Sequence, residues 1–200
     1  MIDSYAARND PYFLRNGFET SGKYSFPLIK RQEVSLEKIA LIPYNLTKSN
    51  DIKNADCGVH FFIDDYRFFG VYDFPEKAFA RICGYKFLLS PDFSLYKEMP
   101  MWKLIENIGK SRWCGAYWQS KGKTVIPTIS WAGSESFSIA AEGIEKGCVI
   151  AVSTVGCKNA KFDFLRGYNS VLEKIEPSKI ICLGEPFKEM RGDIVCVGYS

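Results

Sequence analysis

One histidine stands in a chain of two hundred residues, and none of the seven cysteines has a partner at CxxC spacing. That scarcity argues against a zinc site of ordinary spacing. It also leaves Ser-His-Asp and Cys-His schemes dependent on His60 alone, a residue that alternates with Val59 and Phe61 and reads as a core histidine. No apolar stretch approaches the roughly 18 residues that span a bilayer. The first ten residues, MIDSYAARND, lack the apolar core of a signal peptide, so the expected location is the cytoplasm. A net charge of +3 is too small to argue for nucleic acid, although it does not exclude it. The odd cysteine count, with Cys148, Cys182 and Cys196 in apolar runs, points to free thiols rather than a disulfide framework. Cys114 and Cys157 lie near candidate functional segments, yet neither has a nearby histidine to activate it.

Short apolar runs are what the chain has instead. Five of them end abruptly in acidic, hydroxyl, Gly, Pro or Trp residues: VHFFIDDY (59–66), KFLLSPD (86–92), TVIPTISW (124–131), CVIAVSTVG (148–156) and KIICLGEP (179–186). Runs of this length, rich in Val, Ile and Phe, read as buried strands. Helical spacing fills most gaps between them. Phe164, Leu165, Tyr168, Val171, Leu172 and Ile175 share one face ahead of Pro177, and Met101, Leu104, Ile105 and Ile108 begin another. Asp73 is placed to cap a helix starting near Pro75, and Ser134 another that ends before Gly143. The expected fold is α/β, a mainly parallel sheet of about six strands with flanking helices, or a partial barrel. Two hundred residues make one domain, here 36–200. Residues 1–35, aromatic and broken by turns, read as a non-helical arm packed on it. The tail DIVCVGYS follows Glu185 after only a short loop, which predicts an antiparallel edge strand.

In parallel sheets the carboxyl ends of the strands converge on one edge, where ligands bind. Asp64, Asp65, Ser90, Asp92, Ser130, Trp131, Ser153, Thr154 and Glu185 should meet there. In AVSTVGCKNAKF, Ser153 and Thr154, the turn at Gly156, Lys158 and a helix start suit a phosphate or carboxylate. The two hydroxyls could equally satisfy backbone groups at a strand–helix junction. Alternation sends Asp64 and Asp65 to opposite faces, so at most one reaches a pocket directly. Converging carboxylates would bind a divalent metal or work as an acid–base pair; singly, each could cap a helix or pair with Arg67, Arg112 or Lys158. Asp92, its approach fixed by Ser90 and Pro91, is the strongest individual candidate. Trp131 can stack on a base or sugar, or roof the core. Arg112 lies on the predicted long helix and could face the pocket or the surface.

The strings HFFIDDYRF, LSPDFSLY, SRWCGAYWQSKG, VIPTISW, GCVIAVSTVG, GYN and KIICLGEPF, in this order, resemble a family catalogued as a domain of unknown function, number four-four-one-seven. The resemblance runs from about Phe18 through DIVCVGY. It implies a single-domain protein of a phage, plasmid or other mobile element, acting in the host cytoplasm if phage-encoded, and brings no catalytic residues with it. WAGSESF stands where the family has a more acidic version, which puts an essential acid there in doubt.

Three functions follow as expectations. The first is a pocket for a small phosphorylated ligand, a nucleotide or sugar phosphate, with no certain cofactor. Trp131 would stack, Ser90, Ser130, Ser153, Thr154, Gly156, Lys158 and Arg112 would bind, and Asp92 would orient the ligand or do chemistry; in the mobile-element setting the protein would sequester or degrade a nucleotide signal. The second is a Mg²⁺-assisted phosphodiester hydrolase using Asp92, Glu185 and Asp64 or Asp65. The third is an interaction module with the aromatic arm as its contact surface. A homo-oligomer is compatible with each.

Overall fold

The computed structural model describes residues 4–198. Two short helices open it, α1 (Ser4–Arg8) and α2 (Pro11–Leu14), followed by a two-stranded hairpin of β1 (Thr20–Ser21) and β2 (Phe26–Pro27). The main body then runs β3 (Leu41–Pro43), β4 (Gly58–His60), α3 (Gly70–Asp73), α4 (Pro75–Ile82), β5 (Phe87–Leu89), α5 (Met101–Ser120) and β6 (Val125–Ile126). It continues through α6 (Phe137–Ala140), β7 (Val149–Ser153), α7 (Lys161–Ile175), β8 (Lys179–Leu183) and β9 (Ile194–Val197). The helical expectation for Phe164–Ile175 corresponds to α7, and that for Met101–Ile108 to the first half of α5.

Strands β3 to β6 form one parallel sheet and β7 to β9 another, each in chain order. A parallel bridge between Thr128 and Ala151, with hydrogen bonds from Ile129 N to Ala151 O and from Ala151 N to Pro127 O, joins them. The result is a run of seven parallel strands in sequential order.

Alternation divides their side chains between two sides. One set, including Phe87, Leu89, Ile126, Val149, Ala151 and Ile181, forms a single cluster that also takes in Leu41 of the first main strand and Val195 and Val197 of the last. The cluster runs along one face of the sheet from its first strand to its last. Leu36, Val34 and Ile39 join the same cluster from the segment before β3. The opposite set packs on the other face: Val59, Phe61 and Leu88 against α3, α4 and α5, and Ile150, Val152, Ile180 and Cys182 against α7.

Three expectations need correction. The last strand is parallel to β8, with Cys182 opposite Cys196, because residues 184–193 are enough to carry the chain back along strands of only four or five residues without a helix. The opening segment is not free of helix. Asp10 caps α2 by accepting from Tyr12 N and Phe13 N, with Pro11 at the first helical position, a start signal that the surrounding aromatics and glycines mask. Asp73 and Ser134 do not cap: Asp73 ends α3, and α4 starts at Pro75 behind Phe74 without a side-chain cap. Ser134 opens a 3-10 turn in which Ser136 Oγ donates to Gly133 O and accepts from Ala132 N. Tyr12 and Phe18 of the opening segment pack edge-on against Trp113 of α5. All seven cysteines are free.

Candidate functional site

Because the strands are short, the chain leaves the ladder soon after each one, and the departing segments wall a cavity of about 690 Å³ at the carboxyl edge. That size is ordinary for a small-molecule site. Pro43 ends β3 at its wall, and Asn45 follows. From β4 come Phe62, Ile63 and Asp64; from β5, Asp92, Ser94, Leu95 and Tyr96. The extension of β6 supplies Ile129, Ser130 and Trp131, and β7 supplies Ser153. Val155, Cys157 and Phe164 close the side nearest α7.

Asp92 is partly buried in this wall. Burial pushes its carboxyl from the usual carboxylate range up to about 6; the Ser130 hydroxyl and the Arg112 cation oppose the rise and Asp65 adds to it. Trp131 lies 5.0 Å from the ring of Phe164 and rests on α7 at Gly167. A Cβ at Gly167 would come within 2.3 Å of the indole nitrogen, so only glycine lets the ring lie this close to the helix. Asp64 stands at the mouth, 3.7 Å from Arg67, which also borders the cavity.

Other predicted residues are placed elsewhere. Asp65 turns away to accept from Ser94 N at 3.2 Å and Ser94 Oγ at 2.7 Å, so it shapes the Asp92–Tyr96 segment. Ser90 is fully buried, accepting from Thr128 N and bonding Ser111 Oγ; it joins β5 to β6 and α5. Thr154 is buried, and its hydroxyl donates to Glu185 O at 2.9 Å. Glu185, Gly156 and Lys158 are exposed and do not border the cavity, and Gly156 takes φ 77°. The expected phosphate cradle is therefore not assembled: Thr154 is spent on the backbone, and Ser153 Oγ accepts from Val155 N at 3.2 Å.

Arg112 faces neither pocket nor surface. It is buried beneath the floor, donating to Glu142 O, Thr128 O and Ala140 O at 2.9, 3.2 and 2.6 Å. Burial brings its guanidinium down to about 10, and Asp92 holds it up. It ties α5 to the extension of β6 and to α6, placing a cation behind Asp92. His60 is a buried residue whose Nδ1 accepts from Phe62 N, and burial lowers it to about 4. Burial raises the thiols of Cys114 and Cys157, which keeps them protonated.

Sequence reasoning missed Asn45, Phe62, Ser94 and Tyr96. Period-two alternation could have found three of them: Phe62 shares a side with Asp64, and Ser94 and Tyr96 follow Asp92 at two-residue steps. Among the described residues, no group of three or more His, Cys, Asp or Glu side chains is arranged to hold a metal ion. No helix among them is long and apolar enough to cross a membrane.

Residues 18–200 match the family described as Domain of unknown function (DUF4417). The chain belongs to the DUF4417 family. Its relatives include the Gene 1 protein of Mycobacterium phage L5, 35% identical over 176 residues that cover 86% of this chain and 76% of the phage protein. The Gene 1 protein of Mycobacterium phage D29 is 34% identical over 180 residues, again 86% of this chain but 64% of its own length. The DUF4417 chain thus spans less than two thirds of the D29 protein. No solved structure matches it.

Proposed function

We propose that the carboxyl-edge cavity of this DUF4417 protein binds a small ligand carrying a flat ring and polar substituents, in the class of nucleotides and sugar phosphates. The observation that carries this is the lining of the cavity: the rings of Trp131, Phe62 and Tyr96 together with the Asp64 and Asp92 carboxyls and the Ser130 hydroxyl, in a volume of about 690 Å³. Aromatic faces take up a base or sugar ring, and the carboxyls and hydroxyl fix ring hydroxyls or amines. Arg67 at the mouth is the cationic group suited to a terminal phosphate. Together with the phage relatives, this supports a role in sequestering or degrading a nucleotide signal in the host cell.

Direct support would come from native mass spectrometry of protein purified gently from its own host. A bound small molecule, released on denaturation and bearing a ring and a phosphate, is the expected result. Bare protein that also ignores added nucleotides and sugar phosphates would overturn the reading.

The metal-assisted hydrolase has less support, since Asp65 and Glu185 are turned away from Asp92. The interaction-module reading rests on exposed aromatics: Phe13 of the opening segment, and Tyr66, Phe69 and Phe74 around α3, are all more than 60% exposed. It gains if the cavity proves empty.

A further inference from the structure

Behind the cavity floor lies a second, much smaller space of about 10 Å³, walled in part by Asp92, Asn107, Ser111, Arg112, Thr128 and Ser130. That volume is about one water molecule, and these six polar side chains share the wall with Pro91, Phe93, Leu95 and Ile108. Thr128 is 3% exposed, and its hydroxyl has no hydrogen-bond partner in the protein. A buried hydroxyl left without a partner is costly, and native proteins usually satisfy such groups with protein or ordered water. Its neighbours can supply both kinds of partner. Arg112 brings N–H donors, Ser111 and Ser130 bring hydroxyls, and Asp92 brings acceptor oxygens.

We propose that this chamber is a binding site for one water molecule, which bridges the Thr128 hydroxyl and the Asp92 carboxyl from the side opposite the cavity. Asp92 then has the ligand space on one side and a hydrogen-bonding water on the other. A carboxyl so placed keeps a hydrogen-bond partner in either protonation state, whether or not a ligand fills the cavity. The charged and titratable groups around it are Asp65 from the turn after β4, Arg112 from α5 and Cys157 ahead of α7. Arg112 acts as a positioning residue, since its carbonyl contacts hold the extension of β6 against α6. The water site is independent of which ligand the cavity takes, so it can fail while the ligand reading stands.

The test needs no ligand. Thr128→Val keeps the shape of the side chain and removes its hydroxyl. If the chamber holds water, the valine removes the partner that keeps the water there and lowers the melting temperature by roughly 2–4 °C. It also moves the Asp92 midpoint, followed by carboxyl-carbon NMR, to higher pH, because a donor to the ionised form is lost. Thr128→Ser, which keeps the hydroxyl, should leave the Asp92 midpoint where it is. A dry chamber gives the opposite sign: the valine removes an unsatisfied hydroxyl, raises the melting temperature and leaves Asp92 unmoved. Either of those two results overturns the proposal. Should the valine variant fail to fold, a high-resolution structure of the unaltered protein decides, with a density peak within hydrogen-bond reach of both Thr128 Oγ1 and Asp92 supporting the site and continuous protein packing there refuting it.

Discussion

Strands β7 and β8 are five residues long and pair at five positions, and β8 pairs with β9 at four; between β3 and β6 no strand exceeds three residues, and the pairings cover three, two and two positions. Packing compensates. The core outside the ladder-poor half contains eight buried aromatic rings, among them Phe61, Phe68, Trp113, Tyr117 and Trp118, with Trp118 stacked on Phe61 at 5.7 Å. The core outside the ladder-rich half contains two, Phe164 and Tyr168. Short strands release the chain early, and the released segments 62–67 and 92–96 become cavity wall. The half that builds most of the site is therefore fixed by rings rather than by backbone hydrogen bonds.

Removing one ring should break the first half far more readily than trimming the second. Trp118→Ala is expected to cost about 3–5 kcal/mol in chemical denaturation, whereas Ile180→Val on β8 should cost about 0.5–1.5 kcal/mol. Similar costs for the two would mean that the rings are not what holds the ladder-poor half.

Next in size is the opposition of two titratable groups that burial shifts in opposite senses, Asp92 just after β5 and His60 on β4. Asp92 stands near 6 in the folded protein, above its ordinary value. Its contribution to stability is thus fully present below about 4 and is lost as pH rises to about 6. His60 is lowered to about 4. Its contribution is present above about 6.5 and is lost as pH falls through about 4. The two slopes oppose each other over the same window. Asp92→Asn should raise stability at pH 7 by about 1–3 kcal/mol and leave a steep loss towards pH 4. His60→Gln should leave stability rising as pH falls from 6 to 4. Denaturation midpoints across pH 4–7.5 measure both, and parallel curves for the two variants would contradict the assignment.

Gly167→Ala is a finer probe. Its Cβ would meet the Trp131 indole, so the ring must shift, at a cost of about 1–3 kcal/mol and with a change in tryptophan emission. An unchanged spectrum would show that the indole does not rest on α7.

The parallel runs, the two long helices and the edge at which the cavity opens were legible in the sequence, because period-two and helical spacing survive in short segments. Asp92, Ser130, Trp131 and Ser153 could be brought to one cavity from their strand-end positions alone. Three things could not be read. The direction of β9 depended on a helix-free connection of ten residues, a length compatible with either sense. Thr154 and Ser90 look like ligand-facing hydroxyls until the adjacent strands show that backbone groups claim them. Arg112 could be assigned to neither surface nor pocket, because the carbonyls that hold it come from segments 16 and 28–30 residues further along the chain.

In the proposed function the carboxyl-edge cavity binds a ring-bearing phosphorylated ligand through Trp131. Titration calorimetry against nucleotides, cyclic dinucleotides and sugar phosphates tests it, with Trp131→Ala as the probe and Phe74→Ala, on the exposed outer face, as the control. At least one ligand should bind the unaltered protein and the Phe74 variant alike. Loss of stacking, worth about 1–3 kcal/mol, should weaken it roughly five- to a hundredfold in the Trp131 variant. Binding that ignores Trp131, or a panel in which nothing binds, would contradict the account.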